Sequence, residues 1–225
     1  SLRHNPEAIE YVLDTPVNRK DVTAALQTLQ LALDKAGAKL TPSDRCGVHV
    51  HINCQQLTVE QVISFITLYL IMEEPLVKWC GEDREGNPFT LRAKDAEYTI
   101  SLLIQSAMRG DFNQFNSDMR YGSVNPNAIQ KYGSLEFRAL RTPKDFAIID
   151  TWTRLLLRIK DASLEFQHPK SIIEACSAAG FGSFAKRVLG DMSETIQCKG
   201  MASMIAEGVR RVQDIAYVDV LVKKK

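Results

Sequence analysis

Gly47-Val48-His49-Val50-His51-Ile52-Asn53 is the stretch whose reading decides the fold. Side chains alternate faces along a strand, so Val48, Val50 and Ile52 point one way and His49, His51 and Asn53 the other. Such a strand has an apolar side to bury and an imidazole side to hang over a cleft. Taken alone, a His-x-His also describes two half-buried histidines with no ligand. A second strand, much later in the chain, adds weight to the first reading.

That second stretch is Gly133-Ser134-Leu135-Glu136-Phe137-Arg138-Ala139-Leu140-Arg141. Period two sends Leu135, Phe137 and Ala139 into a core and Glu136 with Arg138 to the opposite face. Alone, Glu136 and Arg138 describe a surface ion pair on a sheet. Combined with the histidines they describe more. Imidazole and carboxylate ligate Mg²⁺ or Mn²⁺, the carboxylate dominating for the harder ion. An arginine on the same face grips phosphate bidentately. The set suits a metal-nucleotide site better than a hydrolytic zinc site, whose usual helical H-E-x-x-H is absent. The sequence also lacks a P-loop and a G-x-G-x-x-G, so a nucleotide is not held in those ways.

The chain has 225 residues, 45% apolar and 24% charged, which is enough to bury a sizeable core. The formal net charge is +1, so no overall field draws the protein to nucleic acid or to a membrane. The only marked basic run, Lys223-Lys224-Lys225, reads as a solvated tail. The five cysteines (Cys46, Cys54, Cys80, Cys176 and Cys198) are odd in number, widely spaced and without C-x-x-C. This argues against a disulfide framework or a cysteine zinc site and for a reducing, cytoplasmic setting. Cys46 and Cys54 bracket the histidine strand, which holds them about 25 Å apart. The most apolar stretch, residues 62–72, is too short for a membrane span, and no signal peptide is evident.

Taken in order, residues 8–14 read as a short strand with Ile9, Tyr11 and Leu13 on its apolar face and Glu10 opposite. Asn18 is positioned to cap a helix to Ala36, with Val22, Ala25, Leu26, Leu29 and Leu33 as its stripe and Gly37 as its stop. Thr58-Val59-Glu60-Gln61 is a capping box that opens an apolar helix to about residue 77. Glu73 and Glu74 fall near its end, where carboxylates oppose the helix dipole; exposure to water is favoured over capture by a cation. Residues 81–91 form a charged Gly/Pro loop, residues 94–108 a helix, and residues 110–133 the least regular region. Thr142-Pro143-Lys144-Asp145 starts a helix to about residue 166. Helices follow over 169–179, 184–189 and 201–214, and residues 217–222 read as a closing strand.

Jointly, these patterns resemble the amidoligase family of the carboxylate–amine ligase superfamily, relatives of glutamine synthetase and glutamate–cysteine ligase. The matching residues are Glu10-Tyr11-Val12, Thr15-Pro16-Val17, Cys46 to Ile52, Arg84 with Asn87, the Arg120…Asn125 segment, Gly133 to Arg138, Thr142 with Asp145, and Trp152. The paired G-x-H-V-H-I and G-[ST]-x-E-F-R are the specific part, and the last third of the chain lies outside the likeness. The resemblance implies an α+β fold: a curved antiparallel sheet of the glutamine-synthetase catalytic type, flanking helices and a mainly helical C-terminal third. It implies one amidoligase-like domain over residues 1–225, with 153–225 as its helical extension. It also implies an ATP-dependent ligase that joins the carboxylate of an amino acid or peptide to an amine through an acyl-phosphate, with Mg²⁺ or Mn²⁺. In that scheme Glu10, His49 and Glu136 ligate metal, and His51 contacts ATP phosphate or its metal. Arg138 binds phosphate, and Arg120 stabilises phosphate or the acyl-phosphate.

One departure stands at the start. The relatives carry an earlier strand with a Glu-x-Glu element, which no residue before Glu10 supplies, since Glu7 is in the wrong register. Either residues upstream of Ser1 provide it or the metal site is incomplete. The second case describes a non-catalytic structural or assembly protein that keeps a degenerate ligase fold. A one-metal His/Glu hydrolase fits less well, because no separate nucleophile or general base is evident. The carboxylate, the amine and the oligomeric state are open at this point.

Overall fold

The computed structural model describes residues 10–38, 46–81, 84, 86–95, 98–112 and 121–217. Their fold is α+β, built around one long helix. Helix α1 spans Val22–Lys35, strand β1 Val50–Asn53, helix α2 Val59–Cys80 and helix α3 Tyr98–Arg109. Strand β2 (Val124–Asn125), helix α4 (Ala128–Tyr132) and strand β3 (Ser134–Phe137) follow. Helices α5 (Ala147–Ser163), α6 (Pro169–Ala179), α7 (Phe181–Leu189) and α8 (Met201–Val212) complete the order.

Helix α2 is the core. Its start is fixed by the expected capping box: Thr58 Oγ1 accepts the Gln61 N–H at 3.2 Å and Gln61 Oε1 accepts the Thr58 N–H at 2.9 Å. From Val62 to Cys80 almost every side chain is buried, the pattern of a helix covered on all sides. Pro75 lies inside the helix, three residues before the last turn's Lys78. On one side α8 comes so close that a Cβ on Gly208 would lie 2.5 Å from the Ile71 carbonyl oxygen. On another, Trp79 stacks on the buried Trp152 of α5, ring centres 6.1 Å apart. A single buried cluster runs from Leu33 through the sheet and α2 to Ile215. Among the described residues, no helix is long and apolar enough to cross a membrane.

The sheet is small, open and antiparallel, in the order β1–β3–β2. Its register pairs Val50 with Phe137, His51 with Glu136 and Ile52 with Leu135, while Asn125 faces Glu136 from the other side. Phe137 packs on Phe65 and Tyr69 of α2, ring centres 5.4 and 4.9 Å away. With that face buried, His51 and Glu136 must share the other, and a slip of one residue would bury them instead. The pairing shifts beside the site. Val50 faces Phe137 but Gly47 bridges to Arg141, so residues 138–140 offer one residue more than residues 48–49. This is a β-bulge, a device that re-aims side chains.

Several expectations change. Residues 10–14 are not a strand: Tyr11, Val12 and Leu13 are exposed, and no described strand lies beside them to pair with their alternating pattern. Helix α5 begins at Ala147 rather than beside Thr142, with Asp145 Oδ1 accepting the Ala147 N–H at 2.8 Å. Helix α7 begins at Phe181 rather than at residue 184 and takes in Gly182. Residues 218–222 of the expected closing strand lie outside the described residues, and Gln213–Tyr217 is a 3₁₀ turn.

Candidate functional site

Strand alternation and register bring four of the six expected site residues together. Glu136, only 7% exposed, is the hub. Its Oε1 lies 2.9 Å from Arg138 Nη1 and 3.1 Å from His49 Nδ1, and its Oε2 accepts the Asn125 side-chain N–H at 2.5 Å. His51 Nε2 stands 3.9 Å from Glu136 Oε1, beyond hydrogen-bond reach, while its Nδ1 meets Ser134 Oγ at 3.0 Å. The Tyr132 ring stands edge-on to His51, centres 5.5 Å apart. Both histidine rings are partly exposed and Glu136 lies deeper, so the group forms a shallow, open-topped cluster with an anionic floor.

The electrostatics follow from that depth. Burial pushes the Glu136 carboxyl up, but the His49 hydrogen bond, the Arg138 charge and the Asn125 hydrogen bond outweigh it and hold it at about 2. Glu136 is therefore an anion at any neutral pH. Burial lowers His51; Glu136 pulls it back only in part, and His49 and Arg138 lower it further. A neutral His51 keeps a ring lone pair for a ligand. Arg138 directs one arm at Glu136, and its buried Nε has no hydrogen-bond partner among the described residues, so its donor capacity exceeds what Glu136 takes up.

The donor set fits a divalent ion in part. Two oxygen or nitrogen ligands held about 2.1 Å from one Mg²⁺ at right angles are about 3 Å apart. His49 Nδ1 and Glu136 Oε1 meet that spacing at 3.1 Å. Among the described residues, no group of three or more His, Cys, Asp or Glu closes on one point.

The two other expected residues are not in the cluster. Glu10 lies on the exposed, irregular segment before Thr15 and makes no ion pair with a described residue. Arg120 lies outside the described residues. Arg84 works behind the site. It is buried, its guanidinium bonds the carbonyls of Cys46 and Leu140, and Gly47 makes room for it, since a Cβ there would lie 3.1 Å from Arg84 Nη2.

Asn125 is the contact whose role sequence reading left unassigned. Its place two residues after Ser123 on a short strand is visible only once β2 is paired with β3. Glu73 and Glu74 are the clearest reversal. Glu73 is wholly buried, and Glu74 pairs with Arg92 and Lys94, each at 3.2 Å, and with Arg211 at 3.8 Å. The cations that hold Glu74 come from distant parts of the chain, which no local pattern reveals.

The family model described as "putative amidoligase enzyme" matches residues 8–160. The chain belongs to this amidoligase family. The matched stretch of the amidoligase includes both strands of the cluster, α2 and most of α5, and it ends before α6, α7 and α8. Neither the comparison with curated proteins nor that with solved structures finds a match.

Proposed function

We propose that this amidoligase is an ATP- and metal-dependent ligase that joins an amino-acid or peptide carboxylate to an amine through an acyl-phosphate. The observation that carries the reading is the meeting of Glu136 with His49, His51 and Arg138 on the water-facing side of one sheet. A carboxylate is a poor electrophile, so it is first phosphorylated by ATP, and the amine then displaces phosphate. Both transfers gather negative charge on phosphoryl oxygens, where preorganised cations lower the barrier.

In this scheme His49 and Glu136 hold Mg²⁺ or Mn²⁺, which when bound supplies charge neutralisation to the phosphates. Arg138 binds phosphate and neutral His51 contacts phosphate or its metal. Glu10 and Arg120 are the further residues that the family resemblance offers, as metal ligand and acyl-phosphate stabiliser. For Glu10 this requires the exposed segment 10–14 to fold onto the cluster. The three described strands serve as the centre of a larger curved sheet of the glutamine-synthetase type, within one unit that takes in residues 153–225 as its helical extension.

His49→Ala and Glu136→Ala each lower metal-dependent ATP turnover or ligation by about 100-fold or more, the scale of removing one preorganised charge stabiliser, while circular dichroism is unchanged. Turnover at the wild-type rate in both variants refutes the assignment. A second reading, a non-catalytic assembly protein, draws on the saturation of Glu136: Arg138, His49 and Asn125 already neutralise and bond it without a ligand. Calorimetric titration of the full chain with MgATP separates the two, since the second reading requires no binding.

A further inference from the structure

Glu73 lies outside the Glu136 cluster yet is tied to it through the backbone. Its Oε2 accepts the Ala93 N–H at 2.9 Å and its Oε1 accepts the Ser123 hydroxyl. Both partners donate to the ionised carboxylate; a glutamine amide in its place would keep its oxygen for the Ala93 N–H and offer its NH₂ to Ser123 Oγ, which can also accept, and so holds one proton arrangement at every pH. Ser123 passes the constraint on. Its N–H donates to the Leu91 carbonyl at 2.8 Å, and its own carbonyl accepts the Arg138 N–H at 2.9 Å. The bulge breaks the β1–β3 ladder at Arg138, so the backbone of Arg138 is held from the β2 side, by Ser123. One turn before Glu73, Tyr69 adds a fully buried hydroxyl within hydrogen-bonding reach of the Ser123 side chain. Ser123 and Glu73 are its electrostatic neighbours.

We propose that Glu73 is a positioning residue for Arg138, acting through the hydroxyl and carbonyl of Ser123, and that Tyr69, Ser123 and Glu73 together have two proton arrangements. With Glu73 ionised, Ser123 donates to it. With Glu73 protonated by solvent, the carboxyl donates to Ser123 Oγ, and the serine proton turns to the Tyr69 oxygen. Burial raises Glu73 and the hydrogen bonds from Ser123 and Ala93 lower it, and with its charged neighbours it stands at about 7. Of those neighbours, Glu74 raises it and Arg211 on α8 lowers it. The two arrangements therefore exchange near neutral pH. The effect on ligand binding rests on the phosphate-binding reading of Arg138; the coupling to its backbone does not.

The test uses the full chain with Glu73→Gln and, to break the relay while keeping the carboxylate itself, Ser123→Ala. Amide hydrogen exchange by NMR is followed between about pH 6 and 8, corrected for intrinsic rates, together with MgATP affinity by calorimetry. In the wild type, protection of the Arg138 amide changes about fivefold across this range, the scale of one hydrogen bond, while α5 amides hold constant. Both variants abolish that pH dependence and lower Arg138 protection locally. They also weaken MgATP about tenfold and flatten the pH profile of its affinity. Unchanged Arg138 protection in Ser123→Ala overturns the proposal, as does an equal loss of protection in α5. If MgATP fails to bind the wild type while Arg138 protection still follows Glu73 and Ser123, the positioning role stands and the nucleotide reading falls.

Discussion

Glu136→Gln makes the electrostatics of the cluster measurable without any substrate. The folded protein holds this carboxyl at about 2 against an ordinary 4.5. At 1.36 kcal/mol per pH unit, the depression is worth about 3 kcal/mol of stability at neutral pH. The sign follows from the direction of the shift. Above 4.5 the group is ionised in both states and the stabilisation is fully present; below that the unfolded chain takes up the proton first, and the stabilisation drains as pH falls toward 2. Glutamine keeps the shape and removes the titration. Urea unfolding of the two proteins at pH 7, 4.5 and 3 therefore shows a gap of about 3 kcal/mol at neutral pH that narrows to about half by pH 3. Burial already opposes ionisation at this site, so the gap is the surplus of His49, Arg138 and Asn125 over desolvation. A gap of the same size at every pH would mean that the variant merely disturbs packing, and the account of Glu136 would be wrong.

Two further substitutions probe the frame that carries the cluster. Gly208→Ala places a methyl group 2.5 Å from the Ile71 carbonyl oxygen and 2.8 Å from its Cα, both backbone atoms that cannot turn aside. The helix-propensity gain of about 1 kcal/mol is outweighed by overpacking of roughly 1–3 kcal/mol or more, so thermal unfolding shows a lower Tm. Thr58→Ala removes the cap of α2 and costs about 1 kcal/mol in urea unfolding, with a far-UV spectrum like that of the wild type.

How much was legible in the sequence divides by the range of the interactions involved. The capping box of α2, the alternation of β1 and β3 and the helices that follow Pro169 and Gly200 are set by neighbours in the chain, and periodicity exposes them. The sharing of one face by His51 and Glu136 was readable because alternation leaves a strand only two faces and Phe137 had to take the buried one. The N-terminal segment misled because Tyr11 and Leu13 alternate as in a strand, while a strand also needs a partner, which a local pattern cannot supply. Helix α5 starts at Ala147, with Phe146 at its N-cap and Asp145 Oδ1 accepting the Ala147 N–H, a local turn that the Thr142-Pro143 signal did not reveal. Glu73 and Glu74 looked like surface charges because Ser123 and Arg211, which receive them, lie 50 and 137 residues further along the chain.

The close crossing of α8 over α2 bears on what could be transplanted. The stretch that defines the family stops at residue 160, yet the helix at its centre is roofed at Ile71 by Gly208, and Glu74 is held by Arg211. A fragment cut at the family boundary would carry both histidines, Glu136 and Arg138 on a spine stripped of its lid. The portable module is thus larger than the recognisable one. Anyone moving this cluster to a new scaffold must ask which other helix closes over α2 where α8 is missing.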